Sequence, residues 1–531
     1  MSLVPNWVHD AVFYQIYPQS YYDSNGDGIG DLPGIMQKLD YIQSLGVTAI
    51  WINPCFTSPF NDAGYDISDY YTIAPRYGTN DDMKALLDKA HSLGIRVLLD
   101  FVPSYTSVDH PWFKASASPE PNEYSHRYIW TNSAWNDGGD EYRHRIVHGY
   151  GLRNGNYVRN FFWSQPQLNY GFADPNQSWQ TPIDHPHCVA LRQEMRRIMQ
   201  FWLDIGCDGF RVDMAGAIFN RDPQGAARKA YWLGVRAWLD QNYPDAFTVA
   251  EWGYPKEALE AGFHADFFHW TKSYNDLFQK ESWRILNGMS EGHSFFDSEG
   301  KGNVYDFLTN YLDHYNATRE KGYICLPCGN HDLARVTNHR DQRDLEILFT
   351  FVFTMPGIPF VYYGDEIGME QLHDMPCKEG SYTPRAGARS PMQWTSGKNK
   401  GFSTADPSQL WLPVDGRDNA PNVEDAEKDK TSLLHTMRAL ADLRHQQKAL
   451  LGYADFAPLY AQDHAYPFVY QRSLDGETIL VALNPSQDAV TVDIAVDGDF
   501  KPLIGAGVQI SREDGLLRLT MEGRSYGVYL G

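Results

Sequence analysis

Eight short apolar runs, each able to form a strand, recur through the first two thirds of the chain, at residues 11–17, 49–53, 97–102, 209–213, 247–251, 266–270, 323–326 and 359–363. Between several of them lie stretches with apolar residues at helical spacing, such as 35–45, 81–93 and 188–203. Strand then helix, repeated until eight strands are counted, predicts a parallel (β/α)8 TIM barrel of the α/β class. One interval breaks the rhythm. After residue 102 about 85 residues pass before the next convincing helix, and they are rich in Asn, Ser, Trp, Tyr and Gly. So long a connection predicts a subdomain, placed at 104–175, inserted after the third strand of a barrel that otherwise occupies 1–103 and 176–455. From 456 to 531 the pattern changes to short alternating runs, 468–472, 478–483 and 490–494, with Asp475-Gly and Asp514-Gly as hairpin turns. That predicts a C-terminal antiparallel β domain. The polar stretch 397–430 reads as a long surface loop, and neither an internal repeat nor a low-complexity tract is visible.

Charge excludes some partners. Forty-five Lys and Arg against 67 Asp and Glu leave a net charge of −22, which disfavours nucleic acid and anionic membrane and suits a neutral substrate. Aromatics make up 14% of the chain; most belong to the core, and the rest suit stacking on flat apolar ligand faces. The six cysteines are sparse and irregularly spaced, unlike a disulfide framework or a zinc module, which fits a reducing compartment. Cys325 and Cys328 form a C-x-x-C inside an apolar run and read as barrel packing. The first residues, Met-Ser-Leu-Val-Pro-Asn, lack a basic then apolar leader, and no long uncharged apolar span occurs, so a soluble, cytoplasmic protein is expected.

In a barrel the C-terminal strand ends carry the chemistry, and three acids lie there: Asp213, Glu251 and Asp332 close the fourth, fifth and seventh runs. Arg211, two places before Asp213, shares its face of the strand, and a cation beside a carboxylate holds it ionised. Two carboxyls across a sugar are what glycosidic cleavage needs, one ionised to attack and one protonated for the leaving oxygen. The second requires a pKa raised by desolvation or by a neighbouring anion, and Trp252 beside Glu251 is positioned in sequence to wall it.

Asp100-Phe-Val-Pro, Gly209-Phe-Arg-Val-Asp213, Val249-Ala-Glu251-Trp and Gly329-Asn-His331-Asp332, in this order and on these strands, resemble the four signature regions of the α-amylase superfamily of glycoside hydrolases. The resemblance spans nearly the whole chain. It implies a retaining mechanism, with Asp213 as nucleophile, Glu251 as acid/base, Asp332 as transition-state stabiliser, Arg211 positioning Asp213, and Asp100 and His331 at the reacting sugar. Gly64-Tyr65-Asp66-Ile-Ser-Asp-Tyr and Ala388-Arg389-Ser-Pro-Met-Gln-Trp394 are similar to segments of the exo-acting oligo-1,6-glucosidases and dextran glucosidases. This implies Tyr65 stacked on a terminal sugar, with Asp66 and Arg389 forming a charge pair that blocks the far end of the pocket and bonds distal hydroxyls. The substrate implied is a small oligosaccharide or glycoside. A transglycosylase or isomerase of the trehalose synthase or sucrose isomerase kind shares the same scaffold. A catalytically dead relative does not fit a chain that keeps all three acids.

Asp23-Ser-Asn25-Gly-Asp27-Gly28-Ile29-Gly-Asp31 offers oxygen ligands at alternate positions with glycine at the sixth, as a calcium loop does, but Gly34 replaces the bidentate Glu of an EF-hand. The resemblance implies a structural Ca2+ held by Asp23, Asn25, Asp27, the Ile29 carbonyl and Asp31. Three positions depart from the family. Tyr105 stands where the first region normally reaches a histidine that meets the sugar's 6-hydroxyl. Gln167 replaces an acid in Gln165-Pro-Gln167-Leu, and Met214, after the nucleophile position, matches neither common residue at a site tied to linkage preference.

Overall fold

The computed structural model of the protein describes residues 4–269, 271–278, 293–381 and 385–531. The expected strand end at Trp270 and the first three residues of the terminus lie outside the described residues. All eight expected strands form: β1 (Phe13–Ile16), β2 (Ala49–Ile52), β3 (Arg96–Phe101), β4 (Gly209–Val212), β5 (Phe247–Ala250), β6 (Ala265–Phe267), β7 (Tyr323–Cys325) and β8 (Phe360–Tyr362). They pair in parallel in the order β7-β6-β5-β4-β3-β2-β1-β8. A parallel bridge between Cys325 and Ile358 brings the two ends of the sheet together. Apart from half-buried Arg96, these strands are buried along their whole length, which is why their sequences read as nearly unbroken apolar runs.

Alternation divides each strand between two packing environments. Phe13, Trp51, Leu98, Phe247, Val249, Ala265, Phe267, Cys325 and Phe360 pack together as one cluster inside the barrel, while Tyr14, Ile50, Leu99 and Phe210 belong to the larger core beneath the helices. Two residues further along the inward set, toward the C-terminal ends, apolar side chains give way to Gln15, Asn53, Asp100, Arg211, Asp213 and Glu251, all buried. Gly209 is the inward residue at the base of β4, with φ +139° and a Cβ position 1.8 Å from the Phe247 carbonyl oxygen, so no side chain fits between β4 and β5 there.

The helix Pro186–Ile205 buries Leu191, Met195, Ile198, Met199 and Trp202 at helical spacing. Asn80–Ser92 begins at a capping box between Thr79 and Asp82. The segment expected as one helix over 35–45 is two, Leu32–Gln37 and Leu39–Ser44, because Lys38 leaves helical geometry (φ −103°, ψ 2°). The insertion after β3 carries its own small cluster, Ile129, Tyr142, Ile146, Val158, Phe172 and Trp179, around an antiparallel pair of two-residue strands, Ile146–Val147 and Tyr157–Val158.

The C-terminal antiparallel sheet consists of β9 (Asp455–Tyr460), β10 (Phe468–Leu474), β11 (Glu477–Asn484), β12 (Val490–Ile494), β13 (Lys501–Glu513) and β14 (Leu516–Leu530). Its order is β9-β10-β11-β14-β12, with β13 paired to β14. Asp475-Gly476 and Asp514-Gly515 turn the two hairpins, all four residues at φ between 48° and 82°, as a two-residue type I′ turn demands. The stretch 397–430 is not a surface loop. Phe402, Ala405 and Leu410 form a small core of their own, Trp411 donates to Ser20 Oγ, and Val423–Lys428 is helical.

Candidate active site

The polar ring above the barrel core converges on one cation. Arg211 is 2% exposed, and its guanidinium bonds three carboxylates: Asp100 Oδ1 at 2.8 Å, Asp213 Oδ1 at 2.9 Å and Glu251 Oε2 at 2.8 Å. Asp100 is the register partner of Arg211 on the neighbouring strand, and Asp213 is two residues beyond Arg211, just past the end of β4, so strand pairing sets this cluster. The Asp213 amide donates to the Phe101 carbonyl at 2.8 Å and the Glu251 amide to the Val212 carbonyl at 2.9 Å, which carry the ladder past the strand ends and fix both acids. Immediately after Asp213 the chain turns sharply, with Met214 held at φ 45° and its amide donating to Glu251 Oε2 at 3.3 Å.

Three acids around one guanidinium leave an excess of negative charge in a dry site, and the carboxyls respond by moving apart. Burial and the neighbouring Glu251 push the Asp213 carboxyl well above the usual range, against the pull of Arg211. Burial also raises Glu251, but Arg211 and His269, whose Nε2 lies 3.8 Å from Oε1, outweigh it and hold Glu251 down at about 2. Burial lifts Asp100 to about 6 despite Arg211 and the Tyr65 hydroxyl. The cluster therefore raises Asp213 and lowers Glu251 through the same set of charges. The Trp252 ring lies on the Arg228 guanidinium and against Phe263.

Asp332 and His331 follow β7 on the opposite side. His331 Nε2 is 2.7 Å from the Tyr65 hydroxyl and Nδ1 is 3.0 Å from Gln15 Nε2, with the Tyr65 ring stacked at 5.2 Å and 10°. Burial keeps this imidazole neutral, at about 3. Tyr65 Oη also donates to Asp100 Oδ2 at 2.9 Å, so one hydroxyl joins the two halves of the ring. Asp332 Oδ1 accepts from Arg389 at 3.0 Å and pairs with Arg385. Burial would raise Asp332, but Arg385, His331 and Arg389 together hold it well below the carboxylate range.

The expected pair of Asp66 and Arg389 does not form. Asp66 is fully buried and its oxygens accept from Ser58 Oγ and the amides of Asn61 and Asp62, so it shapes the loop that carries Tyr65. Arg389 is committed to Asp332, the His331 carbonyl, Ser381 Oγ and Tyr17 Oη. The acid that faces the arginines is Asp62, 3.5 Å from Arg385 and bonded by Gln165 Nε2 at 2.7 Å. Sequence reasoning missed Asp62, His269, Gln15, Asn53 and Arg385. Period-two counting back from the strand ends would have found Gln15 and Asn53; Asp62 sits in a turn and Arg385 opens the one-turn helix Arg385–Ala388, where no periodicity marks them.

Tyr105 is 1% exposed and points at Asp213, its hydroxyl 3.3 Å from Oδ2. Gln167 pairs with Tyr105 across an antiparallel bridge and accepts from Arg145 at 2.9 Å.

The loop from Asp23 to Asp31 lies apart from these groups. Asp23, Asn25 and Asp27 side chains accept the amides two residues on, and Asp31 caps the helix Leu32–Gln37 through Gly34. Burial and the nearby charge of Asp23 raise the Asp31 carboxyl, although Ser24 and Gly34 donate to it. None of the three acids forms an ion pair with a side-chain cation among the described residues. An oxygen-only donor set short of positive charge is chemically suited to a hard divalent ion.

The model of the α-amylase catalytic domain matches residues 15–452. The chain belongs to the α-amylase family. It is therefore a glycoside hydrolase by family, and relatives on this scaffold act as glycosidases or as isomerases. An oligo-1,6-glucosidase of Parageobacillus thermoglucosidasius is 31% identical, with 91% of each chain covered. The trehalose synthase/amylase TreS of Mycobacterium tuberculosis is 30% identical over 91% of this chain and 82% of its own. Among solved structures, the trehalulose synthase MutB of Pseudomonas mesoacidophila superposes with a TM-score of 0.79 at 26% identity, covering 99% of each chain.

Proposed function

We propose that this family member is an exo-acting, retaining α-glycosidase that removes the terminal non-reducing sugar from small α-glucosides or oligosaccharides. One observation carries the retaining mechanism: a single guanidinium grips both Asp213 and Glu251, at 2.9 and 2.8 Å, which holds the two carboxyls side by side on one cation. Inverting enzymes need carboxyls roughly 6.5–9.5 Å apart to admit a water, whereas retaining ones sit at about 5–5.5 Å. In this reading an Asp213 oxygen forms a bond to the anomeric carbon as the bond to the leaving oxygen breaks, and that oxygen takes the Glu251 proton. Glu251 then draws a proton from water, whose oxygen displaces Asp213. Glu251 must carry a proton when the glycosidic bond breaks, and Asp213 must be ionised. Asp332, ionised between Arg385 and Arg389, would hold the sugar's hydroxyls, with Tyr65, Asp100, His331, Tyr105 and Met214 as the remaining contacts.

Exo action is supported by the far side of the site, where Tyr17, Tyr65, His331 and Arg389 are all at most 5% exposed and bonded to one another or to Asp332, and Asp62, equally buried, pairs with Arg385. A longer chain has no path past them. If this is right, substrates blocked at their non-reducing end are refused and the first product keeps the α configuration; internal cleavage of a blocked chain, or a β product, sinks the reading. The same assay separates hydrolysis from isomerisation, since an isomerase returns a rearranged disaccharide from sucrose or maltose. Ca2+ is assigned to the loop as a structural ion held by Asp23, Asn25, Asp27, the Ile29 carbonyl and Asp31; when bound it supplies charge compensation to the loop and takes no part in the chemistry. The free cysteines, five of the six buried, support a reducing, cytoplasmic setting.

A further inference from the structure

We infer that Tyr105 is a positioning residue for Asp213, holding and acidifying the nucleophile through its hydroxyl; this rests on the assignment of Asp213 above. The two oxygens of Asp213 have different donors. Oδ1 receives Arg211 at 2.9 Å, and Oδ2 faces the Tyr105 hydroxyl at 3.3 Å. With one donor on each oxygen the plane of the carboxyl is fixed, whereas Arg211 alone would leave it free to turn about the Cβ–Cγ bond and is shared with Asp100 and Glu251.

Tyr105 is itself rigidly placed. The Tyr70 hydroxyl bonds the carbonyls of Val102 and Tyr105 at 2.8 and 3.0 Å, the backbone of Tyr105 bridges to Gln167, and its ring meets Phe161 edge-on at 5.8 Å. Burial, with the Asp213 charge, raises the phenol well above its ordinary range, so it stays a proton donor across the working pH range. The contact is longer than an optimal O–H···O bond, within the range from which catalytic hydrogen bonds tighten during reaction. Its effect is differential: the hydroxyl favours the ionised form of Asp213, the form that attacks, against the burial and the Glu251 charge that favour the neutral one.

The test is Tyr105→Phe, which removes one oxygen and keeps the ring. Hydrogen bonds to charged groups support an expectation of a roughly tenfold fall in kcat/KM, with the acidic limb of its pH profile moved up by about one unit. The melting temperature should match wild type. An acidic limb that stays in place overturns the inference, and so does a variant that no longer folds, since the hydroxyl would then be a packing group. Labelling with a 5-fluoro glycosyl fluoride and peptide mapping separates the two levels of the argument. A label on Asp213 that forms about tenfold more slowly in Tyr105→Phe supports the role of Tyr105; equal rates remove it; a label on another carboxyl removes the nucleophile assignment itself.

Discussion

At the scale of single residues, the site works by dividing one excess of charge unequally. Glu251→Gln should slow natural-type glycosides by about three orders of magnitude or more yet spare the first chemical step with an activated aryl leaving group, which needs little protonation. Pre-steady-state kinetics on both substrates checks this, and equal losses would remove Glu251 from the acid role. Tyr105 also bears on selectivity. Its ring and hydroxyl occupy the position where the family resemblance places a histidine at the sugar's 6-hydroxyl, so Tyr105→His should change the ratio of kcat/KM between α-glucosides and α-xylosides by about tenfold or more, the scale of one buried polar mismatch. An unchanged ratio means that Tyr105 does not read the sugar. Which residues were legible follows from how they are held. Asp100, Arg211, Asp213 and Glu251 lie on or just past strands, and a period of two with strand pairing brings them to one point. Asp66 was read as a pocket acid from the resemblance of its segment to the exo-acting glucosidases, but a loop has no fixed alternation, and here Asp62 turns toward Arg385 while Asp66 accepts from its own backbone.

At the scale of elements, the barrel was visible because parallel strands buried on both faces leave an apolar signature that no loop shares. β13 and β14 were not, beyond the turn that joins them, since β13 is largely exposed and its residues alternate weakly. Gly209 offers a direct test of how tightly β4 and β5 approach. Gly209→Ala places a methyl 1.8 Å from the Phe247 carbonyl at a backbone angle that L residues avoid; a loss of at least about 3 kcal/mol, or insoluble protein, is expected, and wild-type stability in denaturant would contradict the strand spacing. The loop from Asp23 to Asp31 gives the second test. Chelation should lower the melting temperature by several degrees while sparing activity at moderate temperature, because an ion bound only by the native loop adds to stability. Unchanged melting after metal removal, verified by elemental analysis, would dispose of the ion.

For the molecule as a whole, the C-terminal sheet is fastened to the barrel by a buried arginine that addresses carbonyls. Arg472 on β10 donates to the carbonyls of Thr354, Leu451 and Ala454 at 2.7 to 3.2 Å. Thr354 ends the helix that precedes β8, and Arg444, on the helix Leu433–Gln446, donates to Phe353 and Gly357 beside it, so the sheet and that helix together brace the approach to the last strand of the barrel. Arg472→Met, which fills the volume and removes the donors, should cost about 3–5 kcal/mol by leaving several buried carbonyls unpaired. Loss of cooperativity in denaturant unfolding, read by calorimetry alongside activity, would show that the brace links both units; an unperturbed transition would show that it does not. The cluster around Arg211 has a consequence on this same scale. Three carboxylates share one guanidinium, so even with a proton among them the cluster is still short of a positive charge. Whatever brings one completes it. A flattened sugar ring passing through its oxocarbenium stage does so briefly; a ring nitrogen that is protonated does so permanently. A polyhydroxylated cyclic amine should therefore bind far more tightly than the neutral sugar of the same shape, with affinity that fades as the amine loses its proton.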